Sequence, residues 1–165
     1  MATIARELGG PTGSIYHRFP SRDLLMARLW VRTARRSQEG FLAALAQPDQ
    51  KAAALAAAAH IPRWSREHLE EAKILVLHRR EDLAARWPEQ LGHELAGLNL
   101  GVETALRSFA RRRYGRVTRT NLRTVAFALV DVPYAGVRRY LVAGQAPPPQ
   151  VDELVLRSCQ ATLFP

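Results

Sequence analysis

The residues most suited to chemistry lie together near the start of the chain. They are small, carry hydrogen-bonding groups or are cationic: Thr12, Gly13, Ser14, Tyr16, His17 and Arg22. A helix that reads the DNA major groove needs such residues at its leading edge, because they let its backbone approach base edges and phosphates. Taken one at a time, Tyr16 also fits a half-buried aromatic and His17 a solvated surface histidine. Their combination predicts contacts with DNA.

Two short helices and a glycine turn must position these residues. A first helix is expected to end at Gly9, and Pro11 suits the first turn of the next helix, where its missing N–H is not needed. Ser21 is a good N-cap for a long third helix that is predicted to reach about Ala46. Arg22, at the start of that helix, can bind a phosphate together with free N-terminal amides.

This stretch, residues 3 to about 29, resembles the helix-turn-helix of the TetR family of bacterial one-component regulators. The matching positions are a turn glycine, a Tyr-X-X-Phe segment and a capped following helix: Ile4-Ala5, Gly9, Gly13-Ser14-Ile15-Tyr16, Phe19, Ser21-Arg22 and Leu25. The resemblance implies a DNA-binding domain at residues 1–24 and a helical ligand-binding and dimerisation domain at residues 25–165. It also implies a homodimer that binds palindromic operator DNA, most often as a repressor, and is released by a small-molecule effector.

The motif lies closer to the start of the chain than it does in typical family members. There, an amphipathic helix precedes and supports it, and a Val stands three residues before the Ile of the Ile-Ala pair. Here Met1 takes the position of that Val. We therefore expect the natural protein to begin further upstream and the motif as written to lack its supporting first helix. The alternative is a ligand-binding and dimerisation protein without effective DNA binding.

The rest of the chain has helical periodicity and no alternating strand pattern, which predicts an all-α fold. Helices are expected at about residues 48–61, ending before Pro62, and at 63–85, 88–114 and 151–163. A long helix at about 118–143 is apolar on two faces, and Pro133 is expected to kink it. By the resemblance, this helix and the last one form the homodimer contact.

Polar and aromatic residues within these apolar helices are candidates for the effector pocket that the resemblance implies. Six residues are candidates for its polar recognition groups and aromatic walls: Trp64, His78, Glu103, Phe127, Asp131 and Tyr134. A large ligand pocket combines apolar walls with a few polar groups of this kind. For His78, Glu103 and Asp131, an ordinary surface or hydrogen-bonded position is the more common alternative, and the aromatic residues also fit a plain core.

The balance of charge favours a polyanionic partner, although weakly. Lys and Arg number 24 against 15 Asp and Glu, which gives a formal net charge of +9. Six arginines lie around one predicted helix end: Arg111, Arg112, Arg113, Arg116, Arg119 and Arg123. Because cations suit the negative end of a helix dipole, we interpret this cluster as a helix end rather than a second nucleic-acid surface.

Other function classes have little support in the sequence. The histidines show no metal-ligand spacing, and no glycine-rich phosphate loop follows a strand, so we predict neither an enzyme nor a bound metal or cofactor. The single cysteine, Cys159, cannot form an internal disulfide and is expected to be a small buried residue. With no apolar run long enough to cross a bilayer and no signal sequence, the protein is expected to be cytoplasmic, with no membrane partner.

Overall fold

A computed structural model describes residues 6, 7, 9, 17, 19, 21–78, 80–86 and 88–165. These residues form helices and connecting turns without a β-strand, so the all-α prediction is confirmed for the described part of the chain. Of the predicted DNA contacts, Thr12, Gly13, Ser14 and Tyr16 lie outside the described residues. In that same part of the chain, no helix is long and apolar enough to cross a membrane.

The helices follow one another with short connections. Their bounds are α1 Arg22–Leu45, α2 Gln50–Glu67, α3 Leu69–Leu77, α4 Arg80–Arg86, α5 Pro88–Gly97, α6 Leu100–Tyr114, α7 Arg119–Ala126, α8 Val132–Val142 and α9 Gln150–Leu163, with a π-helical segment at Phe127–Asp131 between α7 and α8.

Helix α1 begins where the sequence predicts it. The Ser21 hydroxyl accepts a hydrogen bond from the Leu24 backbone N–H at 3.1 Å, and Asp23 lies in the first turn, where the helix dipole favours a negative charge. At 1.5 Å per residue, its 24 residues span roughly 36 Å. The domain boundary predicted after residue 24 therefore falls within a continuous helix.

Helix α1 joins two hydrophobic clusters. Its second half carries Phe41 into the main core, which also holds α2, α6, α7, α8 and α9. Its first half carries Trp30 into a second cluster with Leu91 and Leu95 of α5. Both clusters bury apolar surface against the same helix, so a rotation or translation of α1 would disturb the packing at both of its ends.

Helix α2 corrects one boundary prediction. It was expected to end before Pro62, yet it continues to Glu67 with Pro62 buried inside it. Proline weakens a helix by removing one N–H and crowding the preceding turn. Trp64 and Ser65, beyond Pro62, are also buried, and this tertiary packing outweighs the local preference. The fully buried alanines before Pro62 let neighbouring helices approach α2 closely.

Two further predicted helices are interrupted. Residues 63–85 were expected to form one helix, but the chain leaves helical geometry at His68, where α2 ends, and again at His78, after α3. The predicted helix 88–114 is interrupted at Leu98 and Asn99, between α5 and α6. The end of α6 is as expected, because Gly115 adopts the left-handed conformation with φ of 73° and donates its N–H to the Arg111 carbonyl.

The distortion expected at Pro133 occurs as a π-helical segment just before it. The Val132 N–H donates to the Phe127 carbonyl, five residues back, and Pro133 has no N–H to donate. The extra residue in this turn changes the register of the helix, so side chains before the π-helical segment are rotated about the helix axis relative to those after it. Val137 and Leu141 are buried on the inner face, whereas Phe127 is 51% exposed.

The arginine cluster supports the helix-end interpretation for two of its members. Arg112 donates to the Leu45 and Gln47 carbonyls, at 2.6 and 3.1 Å, where α1 ends. Arg113 donates to the Leu163 carbonyl at 2.9 Å, where α9 ends, and its guanidinium lies 4.9 Å from the centre of the Phe164 ring. Both side chains thus satisfy carbonyls that a helix end leaves without partners.

Candidate ligand-binding cavity

A cavity of about 380 Å³ lies in the main core, within the size range of small-molecule sites. Helices α1, α2, α3, α6 and α8 surround it, together with α7 and the π-helical segment. Most of its lining is aliphatic or aromatic: Phe41, Ile61, Trp64, Ala72, Leu75, Val76, Val102, Leu106, Ala126, Val130, Tyr134, Val137 and Leu141. Such a surface binds the apolar body of a ligand and leaves specificity to its few polar groups.

The inner wall carries an unpartnered hydroxyl. Ser65 of α2 lines the cavity and is only 3% exposed, yet its hydroxyl forms no hydrogen bond with any residue that the structure describes. A hydroxyl that lines a cavity without a partner can donate a hydrogen bond to, or accept one from, a ligand atom or a water molecule. Beside it, Trp64 supplies a nearly buried aromatic wall.

A histidine and a glycine fix the contact between α1 and α2 at this cavity. The carbonyl of Ser37 can only accept, so His60 donates from Nε2 across 2.8 Å, which fixes the proton on that nitrogen. The ring lies directly over Gly40, because a β-carbon built at Gly40 would be 2.4 Å from Cε1 of His60. No side chain larger than hydrogen fits at residue 40 unless the ring moves.

A second polar contact joins α1 to the connection between α5 and α6. The Gln38 side-chain amide donates to Oδ1 of Asn99 at 3.1 Å, and both residues line the cavity. Three residues of α1, namely Ser37, Gln38 and Phe41, therefore belong to the cavity wall. Any ligand that fills the cavity touches this helix.

The charged residues of the lining are both acidic. Glu103 on α6 and Asp131 on the π-helical segment line the cavity, and both are exposed. Neither forms an ion pair or hydrogen bond with any described residue. Among the described lining residues there is no Lys or Arg, although the chain carries 24 of them.

Four of the six predicted pocket residues line this cavity: Trp64, Glu103, Asp131 and Tyr134. His78 and Phe127 are not part of the lining. His78 stands just beyond the end of α3, and the π-helical segment turns Phe127 outwards.

Sequence reasoning missed the polar lining residues Ser37, Gln38, His60, Ser65 and Asn99. One signal could have revealed the first two. They precede Phe41 by four and three residues, so a helix places all three on neighbouring positions of one face. His60 and Asn99 stand four residues before Trp64 and Glu103, which the sequence did select, although their hydrogen-bond partners are distant in sequence.

The His60 ring and the Ser37 hydroxyl, both in the lining, are each bonded to a backbone carbonyl rather than to one another. The Ser37 hydroxyl donates to the Ala34 carbonyl at 2.8 Å, so neither group activates the other. Within the described ranges, no three His, Cys, Asp or Glu side chains are grouped to hold a metal ion. Cys159 is fully buried outside the cavity, and burial raises the pKa of its thiol from 9.0 to about 11.

At the other end of α1, two predicted DNA-contact residues fall within the described part. His17 has helical geometry and is exposed. Arg22 is the first residue of α1 and is also exposed. The Gly9 backbone has φ of 62°, the left-handed conformation expected where the first short helix ends, and its N–H donates to the Arg6 carbonyl at 3.2 Å.

Comparison with known proteins gives one partial similarity. Proteins named prephenate dehydratase from Mycobacterium sp. strains KMS, JLS and MCS are each 38% identical to this chain over 95 residues. The alignment covers 56% of this chain but 25% of each relative, so the chain spans about a quarter of the length of the curated relatives it matches. No protein-family profile matches the chain, and no solved structure does.

Proposed function

We propose that this chain is a TetR-type transcriptional regulator that binds palindromic operator DNA as a homodimer in the cytoplasm. In this proposal it acts as a repressor, and a small molecule in the cavity releases it from the DNA. The motif at residues 3–29, the all-helical fold and the mostly apolar cavity support the proposal together. The motif and the cavity carry more weight than the fold, because an all-helical fold by itself hosts many functions.

The observation that carries the proposal is the span of α1. Its first residue, Arg22, belongs to the motif, and Ser37, Gln38 and Phe41 near its other end line the cavity. A single rigid helix thus connects a predicted phosphate contact to a candidate effector site.

This connection offers a route for coupling the two sites. A ligand that pushes on α1 at Phe41 would tilt the helix and move its first turn. In a two-fold dimer, such a tilt changes the separation of the two recognition helices, which must match successive major-groove faces. A ligand and an operator that favour different separations weaken each other's binding by the same factor.

The exposed apolar surface supports a dimer through the helices that the sequence predicts. In the described part of the chain, six large hydrophobic residues are exposed. Besides Tyr134, which lines the cavity, three of them lie between residues 127 and 142 or on α9: Phe127, Val142 and Leu154. A two-fold interface would cover the same patch on both subunits. We expect Leu154→Glu to place a charge in this interface and to shift sedimentation from dimer to monomer.

Fluorescence anisotropy with a labelled DNA fragment from upstream of the gene tests the proposed DNA binding. Salt-sensitive binding that requires the palindrome would support it. Arg22→Ala removes a predicted phosphate contact. The slope of the logarithm of the binding constant against the logarithm of the salt concentration should therefore become shallower by about one. Arg107→Ala, on the exposed side of α6, removes the same charge away from the motif and is the matched control.

The alternative is a ligand-binding and dimerisation protein without effective DNA binding. It is favoured if the protein forms a dimer and fills its cavity while the upstream fragment binds no better than unrelated DNA. The alignment with the mycobacterial proteins named prephenate dehydratase covers a quarter of their length, so it does not support a dehydratase activity for this chain.

A further inference from the structure

The cavity has a charge opposite to that of the protein around it. The chain carries a formal net charge of +9, yet the charged residues of the described lining are the carboxylates Glu103 and Asp131. Neither is neutralised by a described neighbour. The two carboxylates of the lining therefore favour a cation over an anion of the same size next to them.

Apart from Ser65, the buried residues of the cavity lining are apolar, and its charged residues are exposed. Ala72, Leu106 and Val137 are buried, whereas Glu103 and Asp131 are exposed and so stand at its opening. Tyr134, which is 43% exposed, lies three residues after Asp131 and also lines the cavity. An apolar group is thus favoured inside and a positive charge at the opening, next to an aromatic ring and two carboxylates.

Ser65 supplies an independent indication that the interior receives a ligand. The residue is 3% exposed and lines the cavity, and its hydroxyl has no partner among the described residues. A hydroxyl can donate or accept, so it restricts the ligand less than the charges do.

We propose that the cavity binds an amphipathic organic cation, with its apolar body against Trp64 and Leu106 and its cationic group between Glu103, Asp131 and Tyr134. This inference deepens the proposed function and rests on the cavity being the effector site. It excludes as effectors those organic acids whose carboxylate would stand at the opening, because two negative charges would repel it.

Three ligands with one naphthalene body and different charges test the proposal: (1-naphthylmethyl)trimethylammonium, neutral 1-naphthylacetamide and anionic 1-naphthylacetate. Their affinities for the full chain are measured by isothermal titration calorimetry without DNA. We expect the cation to bind at least about tenfold more tightly than the anion, with the amide between them. Glu103→Gln and Asp131→Asn should each weaken binding of the cation about three- to fivefold and leave binding of the amide unchanged.

Glu67→Gln is the matched control, because Glu67 is exposed on α2 outside the lining and the substitution removes the same charge. Circular dichroism and sedimentation check that each variant keeps its fold and its oligomeric state. The inference is overturned if the anion binds as tightly as the cation, if neither carboxamide variant weakens the cation more than the control does, or if the cation does not bind at millimolar concentration.

The same titrations separate this inference from the proposed function. A cation that binds in the expected order but leaves operator binding unchanged supports the cavity chemistry and contradicts effector-controlled release. Release of the operator by the anion and not by the cation supports a regulator and contradicts the cation site.

Discussion

Replacing Gly40 by Ala tests whether the His60 ring determines the contact between α1 and α2. In an ordinary helix interior this change stabilises by about 1 kcal/mol, because glycine is the poorer helix former. Here the new β-carbon would lie 2.4 Å from Cε1 and 2.8 Å from Nδ1 of His60, so the ring must move. Overpacking of this kind costs about 1–3 kcal/mol, and loss of the 2.8 Å bond to the Ser37 carbonyl costs about 0.5–1.5 kcal/mol more.

The free energy of unfolding should therefore fall by roughly 0.5–3.5 kcal/mol in Gly40→Ala, once the gain in helix propensity is subtracted. In a His60→Ala background the obstacle is absent, and the same substitution should stabilise by up to about 1 kcal/mol. The sign of the effect thus reverses between the two backgrounds. The difference between them is the interaction free energy of residues 40 and 60.

Urea unfolding of the four proteins, followed by helical circular dichroism at one fixed protein concentration, measures this cycle. The reasoning is refuted if Gly40→Ala stabilises the parent protein as much as it stabilises the His60→Ala variant. In that case the ring would be free to move aside, and His60 would not hold the cavity wall.

Further predictions concern the attachment of α9 and its cysteine. Asp152→Ala removes a mostly buried carboxylate that Arg66 and Arg63 contact at 2.8 and 3.3 Å. The free energy of unfolding in urea titrations should therefore fall by about 1.5–3 kcal/mol. Glu153→Ala, at an exposed neighbouring residue, is the control and should change it by less than about 0.5 kcal/mol. Cys159 should react with a thiol reagent at pH 8 far more slowly in the folded protein than in urea, because it is buried; equally fast labelling would show that α9 is not docked as described. Burial raises the pKa of this thiol from 9.0 to about 11, so its contribution to the free energy of unfolding is present below pH 9 and lost as pH rises towards 11. Over that interval the free energy of unfolding of Cys159→Ala should therefore fall less than that of the parent protein.

Features that depend on neighbouring residues could be predicted from the sequence. The start of α1 at Ser21 depends on a cap that reaches three residues along the chain, and the end of α6 at Gly115 depends on the left-handed conformation that glycine adopts readily. Helical periodicity likewise predicted an all-α fold, and Pro133 predicted a distortion close to where the π-helical segment occurs. Each of these signals acts within about one helical turn, so it can be read without knowing the fold.

Tertiary structure decided how the helices meet. Pro62 remains inside α2 because packing on both sides of it outweighs its local preference, and Phe127 turns outwards because one extra residue in the π-helical segment shifts the register. The cavity is the space left between packed helices. Its polar groups are joined across 23 residues from His60 to Ser37 and across 61 residues from Asn99 to Gln38. Periodicity places a residue on a face of its own helix, but only the packing of all helices determines which faces enclose a common space.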